Sequence, residues 1–568
     1  MESRHWGISV TSGNEVSRRT FLSRGAVTGG AVVLGAAASS ALAGCSSGST
    51  GSTSTTAAGT KPGFGTGTPK RGGSLTMATA AEIDGFYPPN NHWDTNGYLY
   101  ANAIYDPLMA VGADGTIKPY LAKSIASNSA HTVWTLTLRP GVLFSDGSAL
   151  TSSVVLANYK ALRSSPLTGT ALQRISSMTA PDPMTVVFNL NAPYPTFPAA
   201  LTTQVGYMVG EAMIQAASRP GSPTPVGTGP FVFSSWQPND HFTATRNPHY
   251  WRSGYPYLDQ ITFKPIPDTN QREATLKSGG VDLLLSTDPN TINHFTGQSG
   301  YQVVDSLTGV IGQPSLGLIM LNTAVAPTND LRIRQALAKA TDQAEIQKLF
   351  GGGFTHPVNG LFLPGSPFYS STGYPTFDPA AAKALVSQYK AQHGTPSLEL
   401  LTVPDPRYQN LVQILQQMWN QVGFNTTVAA VQQADIISDF VFGKFQAVTS
   451  YQFGAVDPAI NYVWFSTTTV SPVGSIGLNF PRNSDPQLET ALETGRTTTS
   501  QSTRVAAYKE VNTRLSHDLP YLWLAQYIFA VVGDSRAQNF ANLTLPDGSP
   551  GYGFNEGQIF PTQIWLAG

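Results

Sequence analysis

Two short runs near the N-terminus are suited to chemistry on the chain itself. Ser17-Arg18-Arg19-Thr20-Phe21-Leu22 has the paired arginines of a twin-arginine export signal, and Leu42-Ala43-Gly44-Cys45 ends on a thiol set among small residues, the pattern of a lipobox. Cleavage before Cys45 and acylation of its sulfur would make it the lipid-bearing first residue of the mature chain. A third run, Tyr451-Gln452-Phe453, alternates aromatic faces with an amide that both donates and accepts. Such faces stack on sugar rings or ligand side chains, although a strand burying alternate residues has the same pattern. Catalytic constellations are missing. There is no G-x-S-x-G elbow, no H-E-x-x-H zinc motif and no complete phosphate-binding loop. The nine histidines are scattered, and Cys45 is the single cysteine, which excludes an internal disulfide or a cysteine-built metal site. No catalytic residue, metal site or cofactor is expected, though carboxylate pairs that meet only in the fold leave a secreted hydrolase as the rival from another class.

The elements that must position these residues come next. The apolar run over 25–43 is diluted by Gly25, Gly29, Gly30 and Gly35, too weak for a permanent membrane helix and suited to an export signal. No later run is long and apolar enough to span a bilayer. Residues 46–69 are mostly Ser, Thr, Gly and Ala, the composition of a flexible leash. The chain carries 33 basic and 34 acidic residues; without the signal the balance is 29 against 32, which gives no reason to expect nucleic acid. Strands are expected from Gly72 to Met77, 133–138, 185–190 and 242–246, and after a helix with apolar Leu411, Leu415, Met418 and Val422, from Phe424 to Val431. One helix is expected from Leu331 to Phe350 behind an Asp330 cap, and another begins at Asp378-Pro379 and runs to Lys390. The mixture predicts an α/β (α+β mixed) chain of more than one lobe.

The order of several blocks resembles a known family. They are Ile-Lys-Pro-Tyr-Leu-Ala-Lys-Ser at 117–124, Leu-Arg-Pro-Gly-Val-Leu-Phe-Ser-Asp-Gly at 138–147, Gly-Thr-Gly-Pro-Phe at 227–231, Arg-Asn-Pro-His-Tyr-Trp at 246–251, Ser-Gly-Gly-Val-Asp at 278–282, and Asn-Asp-Leu-Arg-Ile-Arg-Gln-Ala-Leu at 329–337. Together they resemble the extracytoplasmic solute-binding proteins of ATP-binding-cassette (ABC) importers, in the peptide/nickel-binding family 5. The blocks themselves read as turn, crossover and packing residues rather than ligand contacts.

The resemblance implies a two-lobed periplasmic-binding-protein type II fold with an extra inserted domain. It places a signal at 1–44 and a lipid-anchored flexible linker at 45–71. The first lobe would take 72–103, 226–309 and 521–568, the inserted domain 104–225, and the second lobe 310–520. The implied protein is a lipid-anchored monomer outside the cytoplasmic membrane, exported already folded, that hands a small molecule or peptide to a permease with its ATPase. Peptide-binding relatives place an acid three residues before an Asp/Glu-Pro pair, against the peptide's amine; here that place before Asp457-Pro458 is Gly454, unless Asp457 substitutes. The resemblance further implies ligand contacts from Glu82, Asp84, Gln432, Tyr451, Gln452, Phe453, Tyr521 and Trp523. Peptides lead as ligands, with oligosaccharides and nickel chelates as alternatives.

Overall fold

The computed structural model describes residues 61–217, 224–307, 309–353 and 355–568. The twin arginines and Cys45 lie outside the described residues. The strand Ser74–Thr79 buries Leu75, Met77 and Ala78 completely, as a strand covered on both faces does, and pairs in parallel with Gln260–Pro265 and Leu283–Ser286. Around it a seven-stranded mixed sheet runs in the spatial order 301–305, 530–534, 283–286, 74–79, 260–265, 241–246 and 231–237. A second sheet orders five strands as 425–430, 397–402, 447–452, 316–321 and 521–526. A third, antiparallel, orders four as 122–127, 133–138, 185–190 and 175–182. Each sheet packs against helices over its own apolar core, so the α/β architecture has two lobes and an additional layer. Among the described residues no helix is long and apolar enough to cross a membrane.

Local chemistry explains most element ends. Asp330, Asp378 and Asp405 each accept a backbone N–H of the helix that follows, and Pro379 and Pro406 open two of those helices where no amide donor is needed. Asp146 accepts from Ser148 and Gly147 takes a positive φ, the turn expected at the end of the 138–147 block. At Gly227 and Gly229 a side chain would run into the backbone of Ile104, so these glycines let two chain passages lie in contact.

Four expectations need correction. The helix expected from Leu331 to Phe350 is two, Leu331–Ala340 and Gln343–Phe350, because Thr341 is extended and Asp342 caps the second through the Glu345 N–H. The apolar stripe of Pro406–Gln421 is centred on Val412, Leu415 and Trp419, with Leu411 and Met418 half-buried beside it. The linker expected over 45–71 is tied down from Gly63. The Gly63 N–H donates to Gln302 and its carbonyl accepts from Ala541, while Phe64 packs on the first core. Finally, Tyr521–Gln526 does not belong to the first lobe. It pairs with Leu316–Leu321 in the five-stranded sheet, and the chain rejoins the seven-stranded sheet at Ala530–Asp534.

Candidate ligand-binding cleft

A cavity of about 980 Å³ opens between the two larger sheets. One wall comes from the segment after the first strand and from the C-terminal hairpin of Phe554–Asn555 and Gln558–Ile559; the other comes from the helices and strand ends of the second lobe. The lobes touch beside it. Gln433 Nε2 donates to Asp94 at 2.6 Å, and Thr269 Oγ1 donates to Asp405 at 2.8 Å.

Most of the expected residues reach this cavity. Glu82 lines it and accepts from Trp236 Nε1 at 2.7 Å and from the Asn239 N–H. Asp84 lines it too, accepting the His92 N–H at 2.9 Å and pairing with the His92 ring at 3.0 Å. Gln432 precedes the helix Gln433–Phe442 on the opposite wall. Tyr451 stacks on Tyr527 with ring centroids 4.6 Å apart, and Phe453 bridges the edge of Tyr451 to Trp464. Gln452 is 4% exposed, and its Nε2 has no hydrogen-bond partner among the described residues. Gly454 donates its N–H to Ser315 Oγ at 2.8 Å. Tyr521 reaches the cavity edge while packing on Trp523 and Phe465.

Two residues lie elsewhere. Trp523 is 0% exposed within the core of the second lobe and does not line the cavity: it shares a strand face with Tyr521 but lies two residues further along, packed on the Tyr521 ring, with its backbone N–H donating to the Tyr374 hydroxyl. Asp457 is also absent from the lining: its carboxylate accepts from Arg504 at 2.6 Å and from the Ala459 N–H at 2.9 Å. Committed in this way, it does not substitute for an acid at 454.

Sequence reading missed Asp94, Asp405 and Glu556. Glu556 lies at the tip of the C-terminal hairpin with a positive φ and is 7% exposed. It accepts from the Ser315 N–H at 2.5 Å and from Ser315 Oγ at 2.7 Å. Burial pushes its carboxyl up to about 7 against the pull of these hydrogen bonds. Burial raises Asp94 as well, opposed by its bonds from Gly97, Asn96 and Gln433. The cavity lining holds five carboxyl groups, Glu82, Asp84, Asp94, Asp405 and Glu556, against Arg272 and His92. Among the described residues no group of three His, Cys, Asp or Glu converges to hold a metal ion.

Comparison with known proteins finds relatives over most of the chain. Residues 116–471 match the model of bacterial extracellular solute-binding proteins, family 5 Middle. The glutathione-binding protein GsiB of Pectobacterium atrosepticum is 27% identical over 472 residues, covering 80% of this chain and 88% of that protein. The nickel-binding periplasmic protein of Escherichia coli is 25% identical over 476 residues, covering 80% and 89%. In structure, the ABC transporter-associated periplasmic binding protein DppA from Helicobacter pylori, in complex with the peptide STSA, superposes with a TM-score of 0.77 at 20% identity, covering 88% of this chain and 98% of that one.

Proposed function

The chain belongs to the bacterial extracellular solute-binding proteins of family 5, and from that premise we propose that it captures peptides outside the membrane for uptake by an ABC importer. The observation that carries the peptide reading is the cleft. Its 980 Å³ is at the upper end of small-molecule sites and has room for a short peptide. Its walls mix aromatic faces (Tyr451, Phe453, Tyr527) with separated polar groups rather than one dense polar set, as a receptor tolerant of varied side chains needs. Relatives named for glutathione and crystallised with a tetrapeptide support the same class. Native mass spectrometry of the purified protein tests it: a ladder of co-purified peptides is expected, and a single oligosaccharide mass would overturn it.

Capture works through closure. A ligand that touches both walls stabilises the arrangement in which the lobes meet, and the permease receives that shape. The first lobe is assigned 63–103, 226–309 and the chain beyond Gln526, the inserted domain 104–225, and the second lobe 310–526. Cys45 is assigned as the lipid attachment point and the twin arginines as the export address. Cys45→Ser is expected to move the protein from the membrane to the soluble extracytoplasmic fraction. Unchanged membrane retention would sink the anchor.

A further inference from the structure

The ionic imbalance of the cleft centres on one carboxylate. Glu556 faces the cavity, yet the groups that donate to it, the N–H and hydroxyl of Ser315 and the nearby N–H of Gly454, are all neutral. No Lys, Arg or His pairs with it among the described residues. The titratable groups that face it are the phenols of Tyr451 and Tyr552, which are acids themselves. The two bases of the lining are committed elsewhere: Arg272 Nη1 to the carbonyls of Ile266 and Pro267, and His92 to Asp84. A buried carboxylate without a counter-charge is costly, and the missing cation has only the cavity side from which to come.

Gly454 leaves the room that this carboxylate occupies. Its φ is not in the left-handed region, so the backbone there does not require glycine. Space does. A Cβ at 454 would collide with Oε2 of Glu556 and come within 2.7 Å of its Cδ. The strand end gives up its side chain, and the carboxylate delivered from the hairpin fills the vacated place.

We infer that Glu556 receives a protonated amine of the bound ligand, which makes it the charge-selecting residue of the cleft. This deepens the peptide reading and rests on the same cavity being the ligand site. An ammonium suits the geometry better than a guanidinium. Ser315 already donates to both carboxylate oxygens and the Gly454 N–H bears on the same group, so the two-pronged edge that a guanidinium needs is occupied, while a compact ammonium needs only one remaining lone pair. Binding in this way draws Glu556 into its charged form and releases the proton that burial had favoured. Affinity for the amine is therefore expected to fall by up to about tenfold for each pH unit below 7.

The test is equilibrium dialysis with mass-spectrometric readout on the wild-type protein and Glu556→Gln. The probes are a pool of di- to pentapeptides, the same pool N-acetylated at every amine, and a pool of oligosaccharides that includes amino sugars. Wild type is expected to retain amine-bearing peptides, to lose affinity below pH 7, and to reject the acetylated pool. Glu556→Gln, nearly the same shape, is expected to lose the amine-bearing species by on the order of a hundredfold and to lose the pH dependence. A thermal melt of the variant checks that it is folded. If amino sugars alone are retained in a Glu556-dependent way, the peptide reading fails and Glu556 stands. Captured species without a cationic nitrogen, or equal retention by the variant, would overturn the assignment of Glu556; so would capture of nothing.

Discussion

At the scale of single residues, Gly454 and Glu556 form one unit although 102 positions separate them. Glycine at 454 is legible in the sequence as a missing acid, but the carboxylate that fills its place is not. Asn555-Glu556-Gly557 reads only as a polar turn, and nothing local says that this turn closes onto the end of a strand in the other lobe. Gln452 and Phe453, singled out by their aromatic–amide–aromatic run, line the cavity. Trp523 was misplaced because it shares its strand face with Tyr521, and where along that face the cavity stops depends on the packing of the lobe rather than on the strand itself. The steric half of the coupling is directly measurable. Gly454→Ala is expected to cost about 1–3 kcal/mol by overpacking against Glu556. In a Glu556→Ala background the cost should shrink, though not vanish, because the Gln313 carbonyl still lies 2.7 Å from the new Cβ. Equal costs in the two backgrounds, by urea denaturation, would show that the residues do not share that space.

At the scale of elements, the local signals with a chemical cause carried through. The Asp378-Pro379 pair starts the helix Pro379–His393, and alternation marks the strands Val133–Leu138 and Thr185–Leu190. What failed needed tertiary context: the break at Thr341, the docking of Phe64, and the sheet that claims Tyr521–Gln526. The same context places two element ends where the lobes meet. Gln433, the first residue of Gln433–Phe442, reaches Asp94, the cap of Thr95–Ile104. Thr269, the first residue of Thr269–Lys277, reaches Asp405, the cap of Pro406–Gln421. Both bonds exist only when the lobes touch, so each biases the protein toward closure by about 1 kcal/mol. Gln433→Ala combined with Thr269→Val is expected to raise the radius of gyration of the ligand-free protein and weaken ligand binding about tenfold. X-ray scattering and calorimetry check the two effects. A more open protein with unchanged affinity would mean that these contacts do not couple to the ligand.

At the scale of the whole molecule, the two-lobed α/β architecture and the solute-binding role were legible because ordered blocks spread over hundreds of residues identify an architecture. The balance of charge inside it was not, since it depends on burial. Glu556 is pushed up to about 7 by burial, and so is Asp106, where burial outweighs the bond from Trp251 and the nearby Arg252. An acid raised in the folded state holds its proton where the unfolded chain has lost it, so its contribution is fully present below the unfolded value and disappears as pH rises through the folded one. For Glu556 that window runs from 4.5 to about 7, and the loss is on the order of 3 kcal/mol. Acids held low have the opposite sign. At Glu489 burial pushes up, but the donors Tyr462, Ser466 and Thr467 together hold the carboxyl below its usual range, so its support is lost only in stronger acid. The ligand-free protein is therefore expected to be most stable near pH 5 and to weaken toward pH 8, with a shallower decline in Glu556→Gln. An amine ligand inverts the slope, because the cation stabilises the charged form that burial disfavours, so its protection grows as pH rises. Urea denaturation at pH 5 and pH 8, with and without the amine-bearing peptide pool, reads both slopes. Parallel curves for wild type and Glu556→Gln would show that this carboxyl is not the group that links the stability of the empty cleft to its appetite for a cation.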